Sequence, residues 1–157
     1  MWFLRVKLYR IAREKYASDL SGQGGLFSAA RWHDRLPVIY TSLNSSTCIL
    51  EKLVHLRPEE IHHDLVLTIL EAPDTVSQEA LDATQLPADW ATYPAPAFLQ
   101  LIGNTWLRNR SALLLFVPSV IDPLAQNVLI NPLHPEAGGV QVIHQQPFYY
   151  DERLFKR

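Results

Sequence analysis

The chain has 157 residues and a mass of 17.9 kDa, which is one ordinary domain with little room for a second core. Hydrophobic residues make up 48% and charged residues 19%, a balance that favours a packed globule over disorder. The net charge of -2 argues against a polybasic nucleic-acid or membrane-surface binder. One cysteine, Cys48, excludes an internal disulfide and a cysteine-cluster metal site, and it points to a reducing compartment. Arg5, Lys7 and Arg10 interrupt the N-terminal segment, so it has no signal-peptide core. The run from Ala112 to Val117 falls far short of the roughly 20 apolar residues that span a bilayer. The expectation is a soluble cytoplasmic protein.

Leu4, Val6 and Leu8 alternate with Arg5, Lys7 and Tyr9, the period of a half-buried strand. Residues 18–25 are turn formers and predict a loop. Pro37 to Thr41 is apolar, β-branched and aromatic, and predicts a second strand. Asn44 or Ser45 then caps a helix running to about Leu56, with Ile49, Leu50, Leu53, Val54 and Leu56 toward the core and Pro58 ending it. Leu65 to Leu70 is a further strand. Residues 74–96 predict a short helix and a long irregular connection. Pro94 to Arg108 predicts a helix with Phe98, Leu101, Ile102 and Trp106 on one face. Ala112 to Val117 reads as a strand buried on both faces. Asn127 to Asn131 and Val140 to His144 are two more strands, and Asp151 to Arg157 is a polar tail around Leu154 and Phe155. Strands and helices mix without βαβ alternation, so the predicted class is α+β in a single domain over 1–157. No P-loop, GxGxxG, HExxH or GxSxG motif occurs.

Six histidines, including the pair His62-His63, have no zinc-site spacing and no cysteine pair to join, so no metal is expected. Arg31 follows a glycine-rich loop. Glu51 interrupts an apolar helical stretch: facing inward it needs an arginine or a hydroxyl, and facing outward beside Lys52 it is solvated surface, the placement periodicity alone favours. Ser119 follows the buried strand, a place where sheet proteins put ligand-binding residues and also a common turn. Asn127 and Asn131 flank a short strand and either meet a ligand or cap turns.

Taken in order, several segments form a pattern: Leu8-Tyr9-Arg10-Ile11-Ala12, Asp19-Leu20-Ser21-Gly22 with Gly24-Gly25, Ala30-Arg31-Trp32-His33, and Pro37 to Ser42. Leu50-Glu51-Lys52-Leu53-Val54-His55, Ile102 to Leu107, Val117 to Val120, Asn127 to Pro135 and Asp151 to Leu154 complete it. In this order and spacing, over nearly the whole chain, the sequence resembles the RES-domain family, toxins of bacterial Xre–RES toxin–antitoxin pairs. The family's arginine, glutamate and serine correspond to Arg31, Glu51 and Ser119. One departure is Ala29-Ala30, where the family carries glycine immediately before the arginine, so the loop is expected to approach a ligand differently.

The resemblance implies a fold like that of diphtheria-toxin-type ADP-ribosyltransferases. It also implies cleavage of the nicotinamide–ribose bond of NAD by hydrolysis or phosphorolysis, with NAD as substrate and no resident cofactor. The alternatives are transfer of ADP-ribose to a protein, or a non-enzymatic binding module of the same fold. On this resemblance Glu51, Arg31 and Ser119 carry the chemistry, and Arg10, Arg31, Tyr40, Ser119 and Asn127 bind NAD. The implied partner is an Xre-type antitoxin that covers the active site and handles the DNA, with room for a homodimer in the complex.

Overall fold

The computed structural model describes residues 4–156. Met1 to Phe3, at the start of the N-terminal segment, and Arg157, at the end of the tail, lie outside the described residues. In chain order the elements are β1 (Arg5–Arg13), β2 (Ala29–Ala30), β3 (His33–Asp34), β4 (Ile39–Ser42), α1 (Ser45–Leu53), β5 (Leu65–Pro73), β6 (Gln78–Ala80), α2 (Ala97–Asn109), β7 (Leu114–Pro118), β8 (Gln126–Ile130) and β9 (Gln141–Pro147). Seven strands form one sheet in the order β6-β7-β8-β4-β1-β5-β9, and β2 with β3 makes a separate two-stranded ribbon. All pairings are antiparallel except β6 with β7. The architecture is α+β, as the mixed pattern predicted.

The sheet has a weak seam. β1 runs beside β5 through nine registered pairs, Arg5↔Pro73 to Arg13↔Leu65, yet it meets β4 at the single pair Tyr9↔Ser42. The seam is therefore the least-paired line within the sheet.

β7 is buried on both faces, as its composition requires. Leu114 joins Leu8, Ile39, Leu70, Val128 and Ile130 on one side, while Leu115 and Val117 join Leu129, Leu99, Trp106 and Trp32 on the other. A third cluster of Ile11, Cys48, Leu65 and Tyr150 lies under α1. The C-terminal segment is more than a polar tail. Phe155 packs edge-on against Tyr150 at 5.9 Å, and the Tyr150 hydroxyl donates to the Ile49 carbonyl at 2.8 Å.

The helices form where expected, but each buries its predicted face only in part: Ile49, Leu53 and Leu56 pack on the core and Trp106 is buried, as expected, while other predicted core residues turn outward. Asn44 caps α1 by accepting from the Thr47 N–H at 2.8 Å. The regular helix stops at Leu53, and Val54 to Leu56 continue only as turns. Thr47 and Cys48 are buried, whereas Leu50 and Val54 face solvent at 38% and 52% exposure. In α2 the buried residues are Leu99, Gly103, Trp106 and Leu107, and Phe98 and Leu101 are exposed. Gly103 sets that orientation of α2, because its missing Cβ lets the helix lie directly on the backbone of Trp32. The strand β6 was not foreseen. Its three residues are polar or small and exposed, so no apolar pattern marks them.

A Cβ built at Gly103 would stand 1.7 Å from the Trp32 carbonyl oxygen. Alanine in a helix gains about 1 kcal/mol over glycine, but overpacking against backbone costs about 1–3 kcal/mol. The backbone carbonyl cannot swing aside, so the upper end of that cost applies, and Gly103→Ala should lower the melting temperature by roughly 4–8 °C for a net loss of about 2 kcal/mol. Gly138→Ala, where a Cβ meets nothing within 4 Å, is the control and should melt close to the parent.

Candidate functional site

Glu51 faces inward. The inner stripe of α1 carries Thr47, Cys48, Glu51 and Lys52, and the outer stripe carries Ser46, Leu50 and Val54. Residues three and four apart share a helix face, so the apolar spacing and the buried face are two different stripes. The Glu51 carboxylate meets the ends of β7 and β8. Its Oε1 accepts from the Ser119 hydroxyl at 2.7 Å and from the Asn127 amide at 2.7 Å. Oε2 has no hydrogen-bond partner among the described residues and is the open side of the carboxylate.

Both donors are themselves held. The Ser42 hydroxyl donates to Asn127 Oδ1 at 2.7 Å, which turns the amide N–H toward Glu51. Ser119 Oγ accepts from the backbone N–H groups of Ile121 and Asp122 at 3.2 and 3.1 Å. Its single proton goes to Glu51 and its lone pairs to the turn. Ser119 is thus a buried positioning residue and not an activated nucleophile. Two charge-assisted bonds on one oxygen fix the carboxylate within the sheet's end.

Tyr40 lies two residues before Ser42 on the same face of β4. Its hydroxyl is 2.8 Å from His33 Nδ1, and His33 Nε2 is 3.2 Å from the Gly25 carbonyl. A carbonyl only accepts, so Nε2 carries the hydrogen, Nδ1 is the acceptor, and Tyr40 donates to it. The Tyr40 hydroxyl proton is therefore directed at His33 and not at a ligand, although the oxygen can still accept. Burial pushes the Tyr40 phenol above its ordinary value and the His33 imidazole below its own, which keeps the pair neutral.

Arg31 occupies the turn of the β2–β3 ribbon. The ribbon is anchored to α2 by Gln100 donating to the Ala30 carbonyl at 3.0 Å and by the Asp34 N–H donating to Asn104 at 3.1 Å. Ala29 and Ala30 are ordinary strand residues here, and neither is among the positive-φ positions. Glycine's freedom is not required in that place, and the departure noted in the sequence leaves the backbone path intact. The Arg31 guanidinium donates to the Trp90 carbonyl at 2.6 Å and to the Thr92 carbonyl at 3.1 Å. Burial lowers its pKa, and the nearby Glu51 charge opposes that shift.

Arg10 approaches from β1. It donates to the Asp19 carbonyl at 2.8 Å. Burial lowers its pKa, against the charge of Asp19. Arg31, Glu51, Ser119, Asn127 and Tyr40 thus lie on one side of the sheet, whereas Arg10, the residue after Tyr9 on β1, alternates to the other face with Leu8 and Thr68 and is not brought to the carboxylate. Sequence reasoning missed Ser42, His33 and the two carbonyls that hold Arg31. Ser42 and His33 lie inside the quoted motifs, but nothing local marks their partners.

A second constellation, Ser77, His134 and Glu136, has the composition of a hydrolytic triad but not its proton arrangement. The Glu136 N–H donates to His134 Nδ1 at 3.1 Å, so Nε2 carries the hydrogen toward Ser77 Oγ. The Ser77 hydroxyl donates to the Glu136 carboxylate. The imidazole has no lone pair free to take the serine proton. The cluster instead ties Ser77 to the start of β7, with the Leu113 N–H donating to Ser77 Oγ at 3.0 Å.

A family model described as "RES domain" matches residues 7–151. The chain is 43% identical to "Toxin Res" of Pseudomonas putida over 151 residues, covering 94% of this chain and 99% of that protein. It is 34% identical to the "Prs ADP-ribosylating toxin" of a Sphingobium species, covering 93% and 92% of the two chains. A "Toxin Res" of Photorhabdus laumondii is 33% identical, with 95% and 97% covered. In fold, the chain is similar to a chain in the crystal structure of the M. tuberculosis MbcT–MbcA toxin–antitoxin complex. The TM-score is 0.74 at 17% identity, with 93% of this chain and 85% of that chain covered.

The Arg31 contacts make a direct prediction about residues 87–96. Arg31→Ala removes two charge-assisted bonds to the backbone of that segment, worth about 1.5–3 kcal/mol in a buried setting and less at this partly exposed one. The amides of Trp90 and Thr92 should exchange with solvent roughly tenfold faster, while the β7 and β8 amides keep their protection. Unchanged exchange at Trp90 and Thr92 would show that the guanidinium does not hold the segment.

Proposed function

The chain belongs to the RES-domain family, and from that premise we propose that it is the toxin of a toxin–antitoxin pair and acts by cleaving the nicotinamide–ribose bond of NAD. The observation that carries this reading is the Glu51 carboxylate. One of its oxygens is pinned by Ser119 and Asn127 at 2.7 Å, and the other has no hydrogen-bond partner among the described residues and lies within reach of the Arg31 charge. The ADP-ribosyltransferase-like fold supports it.

The chemistry needs such a carboxylate. When the C–N bond breaks, nicotinamide leaves with the bonding electron pair and the ribose carbon takes positive charge, as in glycoside cleavage. A fixed anion next to the ribose stabilises that charge and can accept a hydrogen bond from a ribose hydroxyl through Oε2. Water or phosphate then forms the new bond, water losing its proton to solvent. NAD is the substrate in this reading, and no resident cofactor or metal takes part. Arg31, held at two of its N–H groups by the 90–92 carbonyls, presents its remaining ones to phosphate. Ser119 and Asn127 act by aiming Glu51, and Tyr40 supplies a ring face and an acceptor oxygen.

The partner in this reading is an Xre-type antitoxin that blocks the cleft. Three large apolar side chains stand almost fully exposed on the segments that build the site. Phe27 (86%) precedes the Arg31 ribbon, Tyr93 (90%) follows the Thr92 carbonyl, and Leu124 (99%) lies in the turn after Ser119. Apolar groups of this size, left open around a cleft, mark a surface that another molecule covers. The described residues include no helix long and apolar enough to cross a membrane.

A second reading, transfer of ADP-ribose to a protein, is favoured by the relative named "Prs ADP-ribosylating toxin" at 34% identity. The same site serves both, and only the acceptor differs. Nicotinamide release without incorporation of adenine-labelled NAD into protein supports cleavage, and incorporation supports transfer.

Glu51→Gln keeps size and hydrogen bonding while removing the charge. Turnover should fall by at least about 100-fold, the scale of one lost electrostatic stabiliser, with a smaller change in NAD affinity. Turnover at the parental rate would sink the assignment. The isolated complex with the antitoxin should release little nicotinamide, and stripping the partner should restore the rate. Equal rates in both samples would reject blockage of the cleft. No turnover in either would favour a non-enzymatic binding module.

A further inference from the structure

The ordered pattern of the sequence ends on Asp151-Glu152-Arg153-Leu154, and the proposed reaction gives these residues no task. Their contacts fold the end of the chain back on itself. The Asp151 carboxylate accepts from the Arg153 backbone N–H at 2.9 Å and from the Arg153 guanidinium at 2.9 and 2.8 Å. The Leu154 and Phe155 N–H groups donate to the carbonyls of Asp151 and Glu152, both at 3.1 Å. This turn brings the Phe155 ring to Tyr150, and Phe148 stands edge-on to the same ring at 4.9 Å. The Phe148 N–H donates to the Leu65 carbonyl at 2.8 Å, which ties the segment to the start of β5. Tyr150 is thus a buried ring, fixed by the chain on either side of it.

The hydroxyl of that ring is directed at α1. It donates to the Ile49 carbonyl at 2.8 Å, across 101 residues of chain. A carbonyl oxygen has two lone pairs, so Ile49 can accept from the phenol and keep its helical bond. Residues two apart on a helix lie about 200° apart, so Ile49 and Leu53 lie opposite Thr47 and Glu51. Glu51 meets Ser119 and Asn127, and the Thr47 hydroxyl reaches Asp122 in the turn after β7 at 3.4 Å. Ile49 and Leu53 pack instead in the cluster of Ile11, Cys48, Leu65 and Tyr150, with Phe148 and Phe155. The helix is held from two sides, by the strand ends on one and by the cluster that the C-terminal segment closes on the other. It has only nine residues, too few for its own ladder to hold it in place. The exposed Leu50 and Val54 favour a roll that would cover them. A bond to the main chain opposes such a roll, because a carbonyl cannot turn without the helix that carries it.

We infer that the C-terminal segment clamps α1 and that Tyr150 is a positioning residue for Glu51. By holding the backbone two residues before Glu51, its hydroxyl sets where the carboxylate meets Ser119 and Asn127. The inference rests on the NAD reading above and deepens it. One carboxylate oxygen takes two bonds of 2.7 Å from two different strand ends, a geometry that a small displacement of the helix breaks. A carboxylate stabilises developing charge only from the right place, so the cost of displacement falls on the rate more than on binding.

The test compares two variants of the full chain. Tyr150→Phe keeps the ring and removes only the hydroxyl. Leu67→Ala opens the same cluster from β5 and leaves the hydroxyl in place. Nicotinamide release is measured well below the melting temperature of each. Tyr150→Phe should lower kcat by roughly tenfold, the scale of a misplaced catalytic group, with KM for NAD within about twofold. Leu67→Ala should lower the melting temperature and keep kcat within about twofold of the parent. A second readout needs no turnover. The side-chain amide signals of Asn127 in 15N NMR report its bond to Glu51, and those of Gln100, which holds the β2–β3 ribbon, serve as the reference. Tyr150→Phe should move the Asn127 signals and leave those of Gln100 in place. In an active protein, a parental kcat or unmoved Asn127 signals in Tyr150→Phe would overturn the inference. An equal loss of kcat in Leu67→Ala would also overturn it, by assigning the effect to packing. If the parent releases no nicotinamide, the NAD reading falls and the Asn127 signals alone decide whether the clamp stands.

Discussion

The arrangement of the site depends on one buried interaction, the carboxylate of Glu51 between Ser119 and Asn127. A carboxylate turned into a protein is tolerated only where donors replace its water. Here they come from two strands. Ser119 is fixed by the turn that follows β7, and Asn127 by Ser42 across the β4–β8 ladder, so three strands and a helix converge on one oxygen atom. To bring Glu51 to them, α1 exposes Leu50 and Val54 and buries Thr47 and Cys48. The helix thereby gives up apolar burial, and with it part of the roughly 1.5–3 kcal/mol that a fully buried aliphatic side chain contributes. Strain of this kind, in which a local pattern is overruled, belongs to functional sites more than to structural ones.

The fold brings the strands of the site together. β4 pairs with β8 along its whole length, which sets Ser42 beside Asn127, but with β1 only at Tyr9↔Ser42, and the clusters beneath α1 and α2 hold the two helices to the sheet. Close backbone approaches set the remaining geometry. Gly103 seats α2 against Trp32, which places the β2–β3 ribbon and Arg31 beside the cleft. Gly22, at a φ of 70°, and Gly25, packed against the Leu36 carbonyl, fold the preceding loop onto Pro37 and Val38. Each is a place where a Cβ cannot be accommodated without moving backbone.

Arg31 links these parts. Its guanidinium binds carbonyls from the 90–92 segment while its charge is felt by Glu51. A group that holds a loop and also stands near the carboxylate couples the two: whatever draws the guanidinium away loosens the segment. The exposed rings of Phe27 and Tyr93 and the side chain of Leu124 lie on chain segments next to the Arg31 ribbon, the Thr92 carbonyl and the Ser119 turn. Open apolar groups lower the solubility of the free chain, and a partner that covers them stabilises the complex by mass action. Such a surface suits a protein that is held bound until it is released.

Much of this was legible in one dimension. Alternating and β-branched runs marked β1, β4, β5, β7 and β8 because those strands bury apolar side chains, and Val140 to His144 marked the exposed β9 by its β-branched residues. Asn44 marked the start of α1 because a cap is a local interaction. The ordered motifs identified the family, and with it Glu51, Arg31 and Ser119. What periodicity misread was part of each helix face, placing Leu50, Val54, Phe98 and Leu101 inward with Ile49, Leu53, Leu56 and Trp106, since it assumes that apolar residues point inward. Gly103 and the buried carboxylate reversed that rule. β6 escaped because a short, exposed edge strand needs no apolar pattern, only a neighbour's free backbone. The partners of Arg31 lie about 60 residues downstream of it. Those of Glu51 lie about 70 residues away. The sequence by itself determined which segments are extended or helical and which residues are chemically able to act. Only the tertiary structure decided which way Glu51 faces and which donors meet it, because a buried charge is placed by distant groups that no local pattern records.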